Sequence, residues 1–423
     1  MSVSSRRVVI TGIGTLSPLG VEPDTLLARL LAGESGIARI SAFDASAMPT
    51  QIGGEVLDFD AKTYIADKTQ RRALKMMSRP LQLAVSAAAL AMRGVDRRQI
   101  DSTRFGVEFG AGLIPSELPE LGEAARLSAE DTPARVNLER WGKLGIPTIQ
   151  PLWMLKYLPN LPAGHISIFH DAQGPNNSIT ESDAASLIAL GEAYRILERD
   201  GADFFLSGGC ESKINPVSLV RQCLFEKLSR RNDQPRTACR PFDKNRDGMV
   251  LSEGATVLVV EELSHALRRA ATPLAELIGF GAAFDRHQNG QGLAQAIRAA
   301  LHQAHLTPND LDFVIGHATG HPDHDAIEAR GLAAVFGPHG IPVYAAKAAL
   351  GHLGAASGAT EVAIGILALH KGVVPPTLNY DTPDPDCPVR VLTTPHTVQK
   401  KAFLKLAYTS LGQCAAAILK KWE

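Results

Sequence analysis

The chain has 423 residues, 45% of them hydrophobic and 21% charged, with a formal net charge of −1. That is ordinary globular composition; the near-neutral balance argues against a nucleic-acid or general membrane-surface binder, and no apolar run approaches the ~18–20 residues of a membrane span. Cys210, Cys223, Cys239, Cys387 and Cys414 are scattered, with no CxxC or zinc spacing, so reduced, mostly buried thiols in a cytoplasmic protein are expected, with no metal and no cofactor.

The opening MSVSSRRVVITGIG lacks an apolar segment long enough for a signal peptide. Within it, RVVITGIG (7–14) is a β-branched run ended by glycines, which predicts a buried strand entering a turn. PLQLAVSAAALAMR (80–93) predicts a helix and FGVEFGAG (105–112) a second strand. Residues 114–165 carry many Pro and Gly breaks and read as a cap or insertion. GPNNSITESD (174–183) reads as a tight turn and a polar crest before a buried helix, 184–198, stopped at Gly201. DFFLSGG (203–209) is a strand, 230–255 a polar loop region, and ATVLVVEEL a further strand.

The second half restarts the pattern. LDFVIGHATG (311–320) and IPVYAAKAALG (341–351) are strands running into loops, ASGATEVAIGILALHKG (356–372) is a small-residue helix, and FLKLAYTSLGQCAAAILKK predicts a closing hairpin. Alternating strands and helices predict an α/β protein. The helices at 184–198 and 356–371 are apolar on nearly all sides, which predicts central helices sandwiched between sheets in a duplicated architecture.

Reactive groups gather at three element ends, the usual place for sites in α/β folds. They are Ser182-Asp183, the run HATGHPDHDAIEARG after a strand, and Lys347 with His352 in AAKAALGHLGAASGA. VVITGIGTLSPLG, GPNNSITESDAASLIALGEA, RPFDKNRDGMVLSEGA, HATGHPDHDAIEARG and KAALGHLGAASGATE resemble, in order, the signature blocks of the β-ketoacyl-acyl-carrier-protein synthases. The resemblance runs nearly end to end. It implies the thiolase fold, a duplicated five-layer α-β-α-β-α arrangement, with halves at 1–255 and 256–423 and a dimeric assembly.

In that family a cysteine at a helix N-terminus attacks the acyl thioester, where the helix dipole favours its thiolate. Two histidines then assist malonyl decarboxylation. Carried over by motif, the histidines fall on His317 and His352, the lysine on Lys347 and the acidic residue of the histidine block on Glu328. The cysteine position falls on Asp183, and no cysteine lies within 25 residues of it. His321 stands where the family has a small threonine or serine. TSLG, with Thr409 and Ser410, stands where Gly-Phe-Gly-Gly would shape the malonyl pocket. Ser182 and these three form the expected substrate pocket.

A carboxylate attacking a thioester gives a labile mixed anhydride, so ordinary ping-pong condensation should fail. Asp183 has three readings: a helix N-cap, an ion-paired carboxylate beside His317 and His352, or a direct catalytic group. The same trio has the composition of a two-histidine, one-carboxylate metal set, which no family precedent supports. Lys68, Arg71, Arg72 and Lys75 lie at roughly helical spacing and read as a solvated face or as a docking patch for an acidic acyl carrier protein. The resemblance favours a non-condensing, chain-length-factor-like or accessory subunit, as a homodimer or paired with a cysteine-bearing ketosynthase. The alternatives are a malonyl-carrier-protein decarboxylase using His317 and His352, or an altered acyltransferase.

Overall fold

The computed structural model describes residues 6–130 and 135–423, so the expectations for the first five residues and for 131–134 within the cap fall outside it. The VVITGIG run forms β1 (Val8–Leu16). Its glycines are required by close packing: a Cβ on Gly14 would lie 2.1 Å from the Ala87 carbonyl oxygen of helix α1 (Arg79–Ala91). Four further strands complete the first half's share of the main sheet: β2 (Phe105–Ala111), β3 (Asn176–Ile179), β4 (Phe204–Ser212) and β5 (Glu253–Glu262). The second half contains β6 (Ala275–Phe284), β7 (Phe313–Ile315), β8 (Pro342–Tyr344), β9 (Ala402–Tyr408) and β10 (Gln413–Lys421).

The two halves repeat one topology. The first runs β1-β5-β4-β2-β3 across the sheet, and the second runs β6-β10-β9-β7-β8, with the two-residue strand Arg390–Val391 added in parallel beyond β8. In each, the fifth strand is antiparallel to both neighbours, while the second is parallel to the third and fourth. Val8–Ile10 pairs antiparallel with 275–277 and joins the halves into one folded-over sheet. Residue 255, where the sequence suggests the halves part, falls within β5, which pairs along its length with β1 and β4. The connection between the sheet halves therefore runs from Leu263 to Leu274.

Pleat alternation sorts each strand's side chains into separate cores. Phe205, Leu258 and Val260 face a central core with Phe403, whereas Phe204, Leu206, Val257 and Val259 face an outer core with α1. Leu404 and Leu406 face the opposite outer core, under α3 (Gln291–Gln303) and α4 (Pro322–Phe336). Helices α2 (Ala185–Glu198) and α5 (Ser357–Lys371) occupy the centre. Five layers result: helices, sheet, helices, sheet, helices.

The two central helices meet at their N-termini through small residues. A Cβ on Gly358 would lie 2.8 Å from the Leu187 nitrogen, and Ser186 Oγ accepts a 3.0 Å hydrogen bond from the Ala359 N–H. This contact brings the helix mouth at Asp183 beside the loop carrying His352.

One expectation needs correcting. Asn176–Ile179, read as part of a turn and polar crest, is a strand pairing in parallel with Val107–Gly110. Its polar residues suit a half-solvated sheet edge, so hydrophobic alternation gave no strand signal there.

Candidate active site

The chain enters the helix mouth through Ser182, a non-glycine residue at φ +47°, and passes Asp183 in a single 3₁₀ turn before α2. The Asp183 carboxylate does not cap that helix. The N-cap position is Ala184, with no side-chain cap, and the carboxylate turns into the protein. Asp183 Oδ2 lies 3.3 Å from His352 Nε2, and Oδ1 lies 3.9 Å from Lys213 Nζ. Charge attraction has replaced the local N-cap bond, so the ion-pair reading of Asp183 describes its geometry. Ser182 is exposed, with its hydroxyl 3.4 Å from Asp183 Oδ1.

His352 is fixed by its own loop. Its N–H donates to the Val250 carbonyl at 2.7 Å, and its Nδ1 accepts the Gly354 N–H at 3.0 Å. With Nδ1 engaged as an acceptor, Nε2 is the ring nitrogen turned towards Asp183. This bears directly on the metal reading. One donor atom from each of Asp183, His317 and His352 lies within 4.8 Å of the others. Metal-bound histidines normally donate their second ring N–H outward; here that nitrogen accepts a hydrogen bond instead. The trio is thus arranged as a close contact between the Asp183 carboxylate and His352, whose buried Nε2 has no hydrogen-bond partner among the described residues, with the His317 ring alongside.

His317 follows β7, and its backbone is held from three sides. Its N–H donates to Glu328 Oε1 at 2.6 Å, the next N–H, of Ala318, donates to Glu328 Oε2 at 2.7 Å, and its carbonyl accepts from Lys347 Nζ at 2.6 Å. The ring lies edge-on to His352 with centroids 5.8 Å apart, and its buried Nδ1 has no hydrogen-bond partner among the described residues. Burial, reinforced by the Lys347 charge, holds the His317 pKa well below the usual histidine value, so the ring is neutral at pH 7.

Beneath the histidines sits a buried charge triad. Glu361 lies between Lys347 Nζ at 2.7 Å and Lys405 Nζ at 2.6 Å, and Lys405 also donates to the Gly316 carbonyl at 3.0 Å. Glu361, Lys405, Lys213 and Glu211 were not singled out by motif reading. Two of them carried a signal: Glu361 in ATEVAIG and Lys405 in FLKLAY are charges embedded in apolar runs, and such residues are almost never fully buried unless paired.

Asp325 orders the preceding loop by accepting N–H donors from Thr319, Gly320 and Phe242. Burial still pushes its pKa up to about 6. His321 caps α4, its Nδ1 accepting from the Asp323 and His324 N–H groups, and it stacks on His324 at 3.9 Å. His324, rather than His321, faces the cavity at Asp183, together with Ser410. Thr409 is buried and hydrogen-bonds Gln413 in the turn between β9 and β10.

The His321 cap has a pH signature. Burial, then the neighbouring His324, depresses its pKa to about 4. Between pH 6.5 and about 4 the unfolded chain binds the proton and the native state does not. Its contribution is therefore present above pH 6.5 and is lost on acidification. His321→Asn keeps a capping side chain without the titration. Wild type is expected to lose stability relative to this variant between pH 7 and 4.5, measured by urea denaturation. Parallel profiles would contradict the assignment.

The Asp183 carboxylate is permanently charged at neutral pH. Burial by itself would raise its pKa, but His352, Lys213 and His317 outweigh burial and hold it well below the usual carboxylate range. Cys210 is no substitute nucleophile: it is buried on β4, and desolvation raises its thiol pKa far above neutrality. Lys68, Arg71, Arg72 and Lys75 lie away from this centre, exposed along a short helix and the turn after it; Asp67 caps that helix.

A duplicated five-layer α/β fold, with a helix mouth facing two histidines and a buried lysine at strand ends, defines a thiolase-fold protein. Residues 5–266 match the family model for the Beta-ketoacyl synthase N-terminal domain, and residues 274–381 match that for its C-terminal domain. The chain belongs to the β-ketoacyl synthase family, whose members serve fatty-acid and polyketide synthesis. It is 35% identical over 395 residues to a 3-oxoacyl-[acyl-carrier-protein] synthase 2 of Coxiella burnetii, covering 91% of each chain. It is 33% identical to a mitochondrial 3-oxoacyl-[acyl-carrier-protein] synthase of Arabidopsis thaliana, covering 96% of this chain and 90% of that one.

Solved structures agree. The ishigamide ketosynthase/chain length factor superposes with a TM-score of 0.87 at 26% identity, covering 99% of this chain and 100% of that one. A type II polyketide ketosynthase solved with its acyl-carrier protein, AntDE:AntF, gives 0.84 at 25% identity, with the same coverage. Among the described residues, no helix is long and apolar enough to cross a membrane.

Proposed function

We propose that this protein is a non-condensing ketosynthase-family subunit, chain-length-factor-like or accessory, that pairs with a cysteine-bearing ketosynthase. The observation that carries this reading is the setting of Asp183: its carboxylate lies 3.3 Å from His352 Nε2 and 3.9 Å from Lys213 Nζ, at the position to which the family resemblance assigns the nucleophile, and these neighbours favour its ionised form. A carboxylate so stabilised is a weak nucleophile and a weak base at pH 7. It also opposes malonyl binding, because two unit negative charges 4 Å apart repel by ~4 kcal/mol at an effective dielectric near 20. His352 Nε2, which an enolate oxygen would need, already faces Asp183.

An assembly role draws support from the rest of the chain. The strand Asn176–Ile179 ends the sheet, and Leu138, Ile146 and Leu152 leave apolar side chains exposed on the cap, as a partner contact would use. The exposed row Lys68, Arg71, Arg72 and Lys75 suits an acidic acyl carrier protein, the kind of partner bound in one of the similar structures. Co-expression with a cysteine-bearing ketosynthase should give a one-to-one heterodimer whose product lengths differ from those of the ketosynthase alone. Separate homodimers with unchanged products would defeat the proposal.

One observation favours a second reading, malonyl-carrier-protein decarboxylation. The neutral His317 and its Lys347 and Glu328 supports are all in place, and a purely structural subunit has no chemical need of them.

A further inference from the structure

The cavity opening on Asp183 has a volume of about 260 Å³, close to the lower end of small-ligand pockets at about 300 Å³. Volume alone therefore leaves room for several acyl carbons. Its walls are another matter. Leu113, Pro115, Met249 and Leu251 give it some apolar wall, but Asp183, Glu211, Lys213, Arg221, Glu226 and His352 line it as well, whereas ligand pockets are ordinarily apolar with only a few placed polar groups. Lys213 is the hub: its ammonium stands 3.9 Å from Asp183 Oδ1 and 3.7 Å from Glu211 Oε1, with its side chain only 14% exposed. Glu226 completes the ring of carboxylates, and burial next to Asp183 raises its pKa. On the non-condensing reading, an acyl group carried at the position of Asp183 extends into this space, which Asp183 lines.

We propose that the Lys213-centred ion cluster closes this slot to hydrocarbon acyl chains, making Lys213 and Glu226 the residues that set acyl specificity at the site. Polarity, rather than size, is the barrier. A methylene buried against apolar walls normally strengthens binding roughly fourfold. Against charged groups that it cannot hydrogen-bond, it gains little and strips water from them. The acyl class that the slot admits is short and polar, and a growing chain has to lie on the partner's side.

This deepens the non-condensing reading, and rests on it in taking the Asp183 cavity as the acyl position. Its test is nevertheless separate, because it reads the slot alone. Binding of acetyl-, butyryl-, hexanoyl- and octanoyl-pantetheine to the full-length protein is measured by calorimetry, for wild type and for the double variant Lys213→Met with Glu226→Leu. Wild type is expected to show less than about a twofold change across the series. The variant, checked for folding by its thermal melt, should gain at least about tenfold for octanoyl over acetyl. A wild-type affinity that climbs steeply with each added pair of carbons overturns the proposal, even if the variant fails to fold. So does a folded variant as indifferent to chain length as wild type. Loss of heterodimer formation in the co-expression experiment would remove the partner reading and leave this chain-length series standing.

Discussion

Replacing Glu361 with leucine is expected to destabilise the protein by about 3–5 kcal/mol, the usual cost of stripping one partner from a buried ion pair. Lys347 and Lys405 are each no more than 1% exposed, so the change leaves two ammonium groups in the core without their shared counter-ion. Burial already depresses the Lys405 pKa to about 8 with Glu361 present. At about 2.1 cal/mol/K of unfolding entropy per residue, a chain of this length shifts its midpoint by about 1 °C per kcal/mol, so Tm should fall by ~3–5 °C. The triple variant K347M/E361L/K405M removes all three charges and should recover most of the loss. By contrast, Glu123→Gln breaks an exposed pair with Arg126 and should leave the melt close to that of wild type. A melt of the Glu361 variant within a degree of wild type would show that the triad does not hold the floor of the site.

The second large effect is chemical. In Asp183→Cys the new thiol would stand at the start of α2, beside His352 and Lys213, the groups that now hold a carboxylate ionised. Cations and a helix N-terminus lower thiol pKa values. The buried native thiols move the other way: Cys239, Cys387 and Cys414 are each pushed up to about 12 by burial. Iodoacetamide should therefore label the variant at least about a hundredfold faster than it labels buried native cysteines at pH 7, with peptide mass spectrometry locating the modification. The same variant should not be acylated by octanoyl-carrier protein, because the Lys213 cluster still lines the slot. Efficient octanoylation and condensation would mean that the single residue at 183 is all that separates this chain from a condensing enzyme.

Much of this site was legible before any coordinates. The glycine-bounded strand, the two small-residue helices and the closing hairpin carry strong periodic signals, and the structure places them in the centre of the fold. His317, Lys347, His352 and Glu328 are marked by motif, and they converge as neighbours. Legibility stopped where non-local charge decided the geometry. Asp183 before a helix satisfies every local rule for an N-cap, and only the folded chain shows His352 and Lys213, at positions 169 and 30 residues distant in sequence, turning it inward. His321 shows the converse: a residue placed in the substrate pocket by motif acts as a cap, while its neighbour His324 takes the wall. The strand Asn176–Ile179 escaped because a polar sheet edge lacks alternation.

What Asp183 does to malonyl chemistry can be measured directly. Purified protein is incubated with malonyl-carrier protein, and acetyl-carrier protein is followed by intact mass spectrometry, with His317→Ala and an enzyme-free mixture alongside. An ionised Asp183 paired to His352 should leave acetyl formation at the level of the enzyme-free control. Rapid acetyl formation that disappears in His317→Ala would contradict the non-condensing structural role and establish a decarboxylase.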